Sequence, residues 1–318
     1  MAKVEVNITM PRKKALSRPA ASPPRSAMAH PASGFKSPPP TVSGRWLLMA
    51  VSIAFVGAAV CSWGVLCLLF WQGSWQLLYH PASAVTRTPA SLGLAFDPVA
   101  FASTETGEPR LKGWWITAPT DARYSRFTVL YLHGQDGNLG DTVDTLAALH
   151  ALGVNVFAFD YRGYSQSQFQ RPSEARWRED ANWAIDYLTG IRHIAPGAII
   201  LDGKSLGANL ALEIAAAHPE LAGVVLESPL DAPMNAIFKD ARSRLVPAHL
   251  LVSDRYDAVQ AAARLKIPSL WIYEARNPPH ALNPEPYQVV AAPRMVVWQY
   301  EAGGEETSLA RWLDDLPK

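Results

Sequence analysis

Five consecutive residues, Gly203-Lys204-Ser205-Leu206-Gly207, leave this chain little freedom in local geometry. An apolar strand pattern, AIILD, runs into them, and a helical pattern, LGANLALEIAAAHPE, overlaps their end. A strand that turns into a helix without a loop crowds its own backbone, so small residues must flank the turn. The residue at the apex is lifted to the top of the sheet, beside the unpaired N–H groups of the helix's first turn. Ser205 is therefore the candidate nucleophile. The pentapeptide alone is a common chance match; the strand before it and the helix after it give it weight.

The rest of the chain beyond about residue 92 has the same alternating character. Short apolar strands are predicted at 110–118, 127–133, 154–161, 198–203, 223–228, 269–274 and 295–301. Helical patterns fall between or after them near 141–152, 174–189, 205–218, 257–264 and 305–316. Strands alternating with helices imply a mostly parallel sheet covered on both faces, an α/β fold. At the end of the strand FTVLYL stands His133-Gly134-Gln135. This resembles the α/β-hydrolases, in which a loop at that place supplies one backbone N–H to an oxyanion hole and the residue after the nucleophile supplies the other. The candidates are the N–H groups of Gln135 and Leu206. His133 itself is expected to pack and hydrogen-bond locally.

A different constraint acts nearer the N-terminus. From Trp46 to Trp71 there are 26 residues without a charge. About 20 apolar residues suffice to cross the hydrocarbon core, so the run spans a bilayer with length to spare. Tryptophans at both ends suit the two interfaces. A cleaved signal peptide would have a shorter apolar region behind a short basic stretch, and a buried core helix of this length without charge is rare. The segment is read as an uncleaved anchor, with 45–72 as the transmembrane helix and the bilayer as a partner through residues 46–71. Residues 1–44, with eight prolines, read as a disordered basic tail. Residues 73–91 read as a linker and 92–318 as the globular domain.

Charge sets the expected orientation. Residues 1–45 carry eight Lys or Arg against one acid, Glu5, and the next basic residue after the span is Arg87. The positive-inside rule leaves the N-terminus cytoplasmic and the large domain on the non-cytoplasmic side, whether periplasm, cell exterior or lumen. The net charge of +1 argues against a nucleic-acid partner. The two cysteines, Cys61 and Cys67, both lie in the apolar run, so the globular part has no disulfide of its own. No Cys/His cluster has zinc spacing, and nothing in the sequence calls for a metal or a cofactor.

Several motifs occur together and in order: LLYHP after the span, then LKGWWITAP, LYLHGQDGN, FDYRGYSQSQ, GKSLGANLA and LESPL. In this the chain resembles the membrane-anchored α/β-hydrolases of the Bem46-like and ABHD13-like group, over roughly residues 75–318. The resemblance implies an eight-stranded, mostly parallel sheet flanked by helices, with a short lid near 230–266. It also implies a serine hydrolase acting on a small-molecule or lipid-like ester or other acyl substrate through Ser205. Asp160 and Arg162, in the motif DYRG, are expected to shape a loop.

Two positions depart from the family's pattern. Its acid follows the strand SLWIYE, and Asn277 stands in that slot. Its histidine follows the last strand, and Gly304 stands there; no histidine occurs after His280. A serine hydroxyl is a weak nucleophile without a positioned base. His280, in the loop at the C-terminal edge of the sheet, is the candidate replacement, oriented by Glu301, Glu305 or Asn277. The opposing reading is a loop histidine in an inactive pseudo-hydrolase that binds a ligand or partner at the membrane without turnover.

Overall fold

The structure is a computed structural model of the 318-residue chain, and it describes residues 42–274, 285–299 and 305–316. The expected tail up to residue 41 and the loop residues Asn277, His280, Glu301 and Gly304 lie outside the described residues.

The chain begins with helix α1 (Gly44–Gly73). It is, among the described residues, the one helix long and apolar enough to cross a membrane. A two-residue strand β1 (His80–Pro81) follows, then β2 (Asp97–Ser103), β3 (Pro109–Ile116), β4 (Thr128–Leu132) and a second two-residue strand β5 (Asp136–Gly137). Helix α2 (Val143–Ala151), β6 (Asn155–Asp160), α3 (Glu174–Asp186), β7 (Ile199–Lys204), α4 (Leu206–Ala217) and β8 (Gly223–Glu227) form the centre. Two one-turn helices, α5 (Asn235–Phe238) and α6 (Ala248–Leu251), precede α7 (Ala258–Arg264), β9 (Ser269–Glu274), β10 (Arg294–Gln299) and α8 (Glu305–Asp315).

Eight strands make one sheet in the order β10-β9-β8-β7-β4-β6-β3-β2. The pairs β2–β3 and β3–β6 are antiparallel, and every other pair is parallel. The period of two in each strand sends side chains to two cores. Leu130, Leu132, Phe157, Phe159, Leu201 and Trp271 pack in one with residues of α3, α4 and α7. Val129, Tyr131, Val156, Ala158, Ile200 and Ile272 pack in the other with α2 and α8. The parallel central strands are buried from end to end, as a sheet covered on both faces requires.

The strand β2 had no counterpart in the periodicity reading. Its sequence DPVAFAS carries Pro98, and Pro is tolerated because β2 is the outer strand. The segment 73–91, expected as a linker, contributes Leu78 and Tyr79 to the core, 3% and 1% exposed. It also pairs β1 in parallel with β5, setting His80 opposite Asp136.

Candidate active site

The turn between β7 and α4 holds Ser205 at φ 55°, ψ −121°. A non-glycine residue in that region costs about 1–3 kcal/mol and survives only where its surroundings impose it. They do so from several sides. A Cβ on Gly203 would lie 2.3 Å from the Gly207 carbonyl, and one on Gly207 would lie 2.1 Å from the Leu132 carbonyl and 2.4 Å from that of His133. The Ser205 N–H donates to the Glu227 carbonyl at 2.8 Å, tying the turn to the end of β8. One turn into α4, the buried Asn209 amide pairs with both backbone groups of Leu230, at 2.9 Å each, and so fixes where the cap segment, residues 230–266, starts. The context expected from the pentapeptide is thus the observed one.

Gln135 lies across the turn. Its backbone carbonyl accepts from the His80 N–H at 2.9 Å and from the Tyr164 hydroxyl at 2.7 Å, which fixes the residue's position. Its side-chain Oε1 accepts from Ser205 Oγ at 3.2 Å and from the Leu206 N–H at 3.3 Å. The structure therefore brings together Ser205, Leu206 and Gln135, but in an arrangement that the motif alone does not reveal. A planar carbonyl oxygen of the protein sits where Leu206 N–H and the serine hydroxyl converge.

The same amide extends the contact outward. Gln135 Nε2 donates to Asp136 Oδ2 at 2.9 Å, and Asp136 Oδ1 lies 2.7 Å from His80 Nδ1. At that spacing an Nδ1–H donates to the carboxylate and leaves Nε2 as an acceptor. A continuous chain of hydrogen bonds thus runs from Ser205 through Gln135 and Asp136 to His80. His80 and Asp136 stand 56 residues apart, so no local pattern exposes the pair. Only the parallel pairing of β1 with β5 does.

His133 has a different setting. It is 2% exposed, with Nδ1 2.8 Å from the Gly134 carbonyl and its ring against Tyr161 and Tyr164 at 4.6 and 5.2 Å. Asp160, equally buried, accepts from the Leu139 N–H at 2.9 Å and so holds the loop after β4 to the end of β6. The Arg162 guanidinium bonds Asp180 and Glu179 and lies 4.6 Å from the Trp183 ring centroid. Among the described residues no group of three His, Cys, Asp or Glu side chains could hold a metal ion.

Comparison with known proteins bears on the fold and the family. The protein-family profile described as serine aminopeptidase, S33, matches residues 124–277. The uncharacterized protein Rv2307c of Mycobacterium tuberculosis is 32% identical over 225 residues, 70% of this chain and 76% of that protein. The alpha/beta hydrolase domain-containing protein 17C of Mus musculus is 28% identical over 196 residues, 60% of this chain and 59% of that protein. Among solved structures, the esterase Pf2001 of Pyrococcus furiosus superposes with a TM-score of 0.58 at 20% identity, covering 75% of this chain and 98% of that one. The sheet order, the serine turn and these relatives define one class. The chain belongs to the α/β-hydrolase family.

Proposed function

We propose that this protein is a membrane-anchored serine hydrolase of the Bem46-like and ABHD13-like kind, cleaving an ester or other acyl substrate with Ser205 as nucleophile. One observation carries the reading: Gln135 Oε1 accepts from Leu206 N–H beside Ser205 Oγ, at 3.3 and 3.2 Å. A carbonyl oxygen of the protein stands in for the acyl oxygen of a substrate. When substrate enters, the Gln135 side chain turns away and the acyl oxygen takes its place. Ser205 Oγ then attacks the carbonyl carbon, and the N–H groups of Leu206 and Gln135 stabilise the charge that develops on oxygen. Removing one such donor costs about 10²–10³ in rate.

The serine proton needs an acceptor. His280 is the candidate base read from the sequence, six residues after the end of β9 and outside the described residues. His80 is a second imidazole, joined to Ser205 by the hydrogen bonds through Gln135 and Asp136. Reaction with a fluorophosphonate probe tests both. The wild type labels and Ser205→Ala does not. Loss of labelling in His280→Ala with retention in His80→Ala assigns the base to His280, and the reverse result moves it to His80.

One observation favours a second reading, a pseudo-hydrolase that binds without turnover: the acyl-oxygen position is filled by Gln135. A chain that unfolds cooperatively yet ignores the probe in the wild type and in Gln135→Ala would establish that reading. As for topology, the eight basic residues up to Arg45 put the N-terminus in the cytoplasm and the hydrolase domain on the far side. A reporter fused after Lys318 should be active outside the cytoplasm; cytoplasmic activity overturns the orientation.

A further inference from the structure

Helix α1 has 30 residues, and about 20 suffice for the hydrocarbon core. The surplus has a use. Trp63 Nε1 donates to the Leu245 carbonyl at 3.0 Å, and Phe70 is buried in the larger core, so the last turns of α1 are packed against the cap segment. Two openings adjoin those turns. One is a groove of about 290 Å³ between Leu66, Leu69, Phe70 and Leu77 on one side and Leu245 and Val246 on the other. Leu66 and Leu69 are 46% and 61% exposed, so the groove opens sideways along the helix. The second is a cavity of about 470 Å³ beside Trp71, and it includes Arg171, Ser173, Arg176 and Asp254. Ser74 borders both.

The chemistry of the two openings is complementary. The groove is lined mostly by apolar side chains, with Gln76 and an Arg242 already paired to Asp240 among them, whereas the cavity holds two further guanidinium groups. Arg171 donates to the Trp71 carbonyl at 3.4 Å and stacks 5.5 Å from the Trp71 ring. Arg176 donates to the Arg171 carbonyl at 3.0 Å. Neither guanidinium forms an ion pair among the described residues. The one carboxylate lining the cavity, Asp254, is 7% exposed, accepts from the Tyr79 hydroxyl at 2.6 Å and feels the Arg176 charge, so the cavity's net charge is positive by one guanidinium. Arginine recognises phosphate oxygens through paired N–H donors. The segments that form the openings also carry bare apolar side chains: Phe169 is 87% exposed, Leu250 86% and Leu245 62%. Such a collar around a membrane helix suits contact with lipid.

We propose that this face binds one phospholipid from the bilayer, with its phosphate on Arg171 and Arg176 and an acyl chain in the groove along Leu66 and Leu69. The reading rests on α1 as the membrane span and is independent of whether Ser205 is active. A lipid held here is raised from the leaflet, its headgroup lodged in the domain and its chain still trailing along α1.

The test uses the full-length protein, purified in detergent and exchanged in turn with phosphatidylglycerol, with diacylglycerol of the same chains, and with glycerol phosphate. Native mass spectrometry reads the retained adducts. The wild type should keep one phosphatidylglycerol and not diacylglycerol. The double variant Arg171→Gln/Arg176→Gln should hold it about tenfold less well or worse, the expected loss for charge-assisted hydrogen bonds. Arg176, on α3, also holds the segment before that helix through the Arg171 carbonyl, so Leu69→Trp, which fills the groove at an exposed position and leaves the charges alone, should give the same loss. Equal retention in all three proteins, or equal retention of diacylglycerol, overturns the site in favour of unspecific lipid. Retention of glycerol phosphate as tightly as the lipid also overturns it, in favour of a free-phosphate site. Release of the full chain from membranes by alkaline carbonate would overturn the span and this proposal with it, while leaving the chemistry at Ser205 untouched.

Discussion

Two histidine–aspartate pairs flank the loop that carries Gln135, and they differ in almost everything but composition. His133 Nε2 and Asp160 Oδ1 stand 3.5 Å apart with side chains 2% and 3% exposed. His80 Nδ1 and Asp136 Oδ1 stand 2.7 Å apart with side chains 55% and 66% exposed. In the first pair each partner is also bound to the backbone or walled by aromatic rings, so it holds β4, β6 and the loop together. In the second the ring is fixed at one nitrogen, and the carboxylate spends its other oxygen on Gln135. Burial turns the pair into architecture; exposure beside a serine leaves it available to a reaction. Energetics should separate them too, since leaving a buried polar group unsatisfied costs about 1–3 kcal/mol and breaking an exposed pair about 0.2–1 kcal/mol.

The largest effect is expected where the serine turn meets the buried pair. Gly207 approaches the carbonyls of Leu132 and His133 so closely that no side chain fits. Gly207→Val should leave little or no folded protein, as judged by cooperative urea unfolding. A stable Gly207→Val would mean that the turn does not bed on the buried pair. Next comes Asp160→Ala, which strands the Leu139 N–H and His133 in the interior. A loss of about 2 kcal/mol or more is expected from the same unfolding curves; under about 1 kcal/mol, the pair would not be structural.

Much of the first pair's region was legible in the sequence, and the second pair's was not, for a physical reason. The turn at Ser205 is a local event, so strand, glycines and helix are neighbours in the chain and their pattern carries the geometry. The parallel strands were readable because both faces are covered and the runs are uniformly apolar. The β1–β5 pairing joins residues far apart in sequence through two residues on each side, too few to show any period. The Gln135 side chain is equally opaque, because the motif speaks for its backbone N–H and not for where its amide turns. The helix expected over 174–189 stops being α-helical at Asp186 and continues as a π turn over Tyr187–Ile191, a local underwinding that periodicity does not record.

His80→Ala should then do the opposite of Asp160→Ala. Stability should change by no more than about 0.5 kcal/mol, the usual result for an exposed site. With His80 as the acceptor of the serine proton, the rate of fluorophosphonate labelling at Ser205 should nonetheless fall by about tenfold or more. Unchanged labelling would reduce His80–Asp136 to a surface pair and erase the functional half of the comparison.

The smallest effect extends the contrast between buried and exposed carboxylates to titration. Asp144 is exposed, and its hydrogen bond from Arg87 holds its pKa below the usual range. Glu213, on the helix that follows the serine turn, shares Arg178 with Glu174: Arg178 donates to Glu174 Oε1 at 2.8 Å and to Glu213 Oε2 at 3.2 Å. Burial, then the neighbouring Glu174 charge, pushes the Glu213 pKa up from 4.5 to about 7 despite that arginine. A carboxyl whose folded pKa is raised binds its proton more tightly in the native state than in the unfolded one. Stability is then highest where both states are protonated, falls as pH rises from about 4.5 through about 7, and stays lower above. Glu213→Gln keeps the shape and removes the titration. It should match the wild type near pH 4.5 and exceed it by about 1–2 kcal/mol at roughly pH 8. Asp180, also pushed up to about 7 by burial, titrates in the same window in both proteins. The difference between the two stability curves therefore isolates Glu213. Parallel curves would show that Arg178 keeps the Glu213 carboxylate ionised in the folded state and that burial at this helix does not outweigh the arginine.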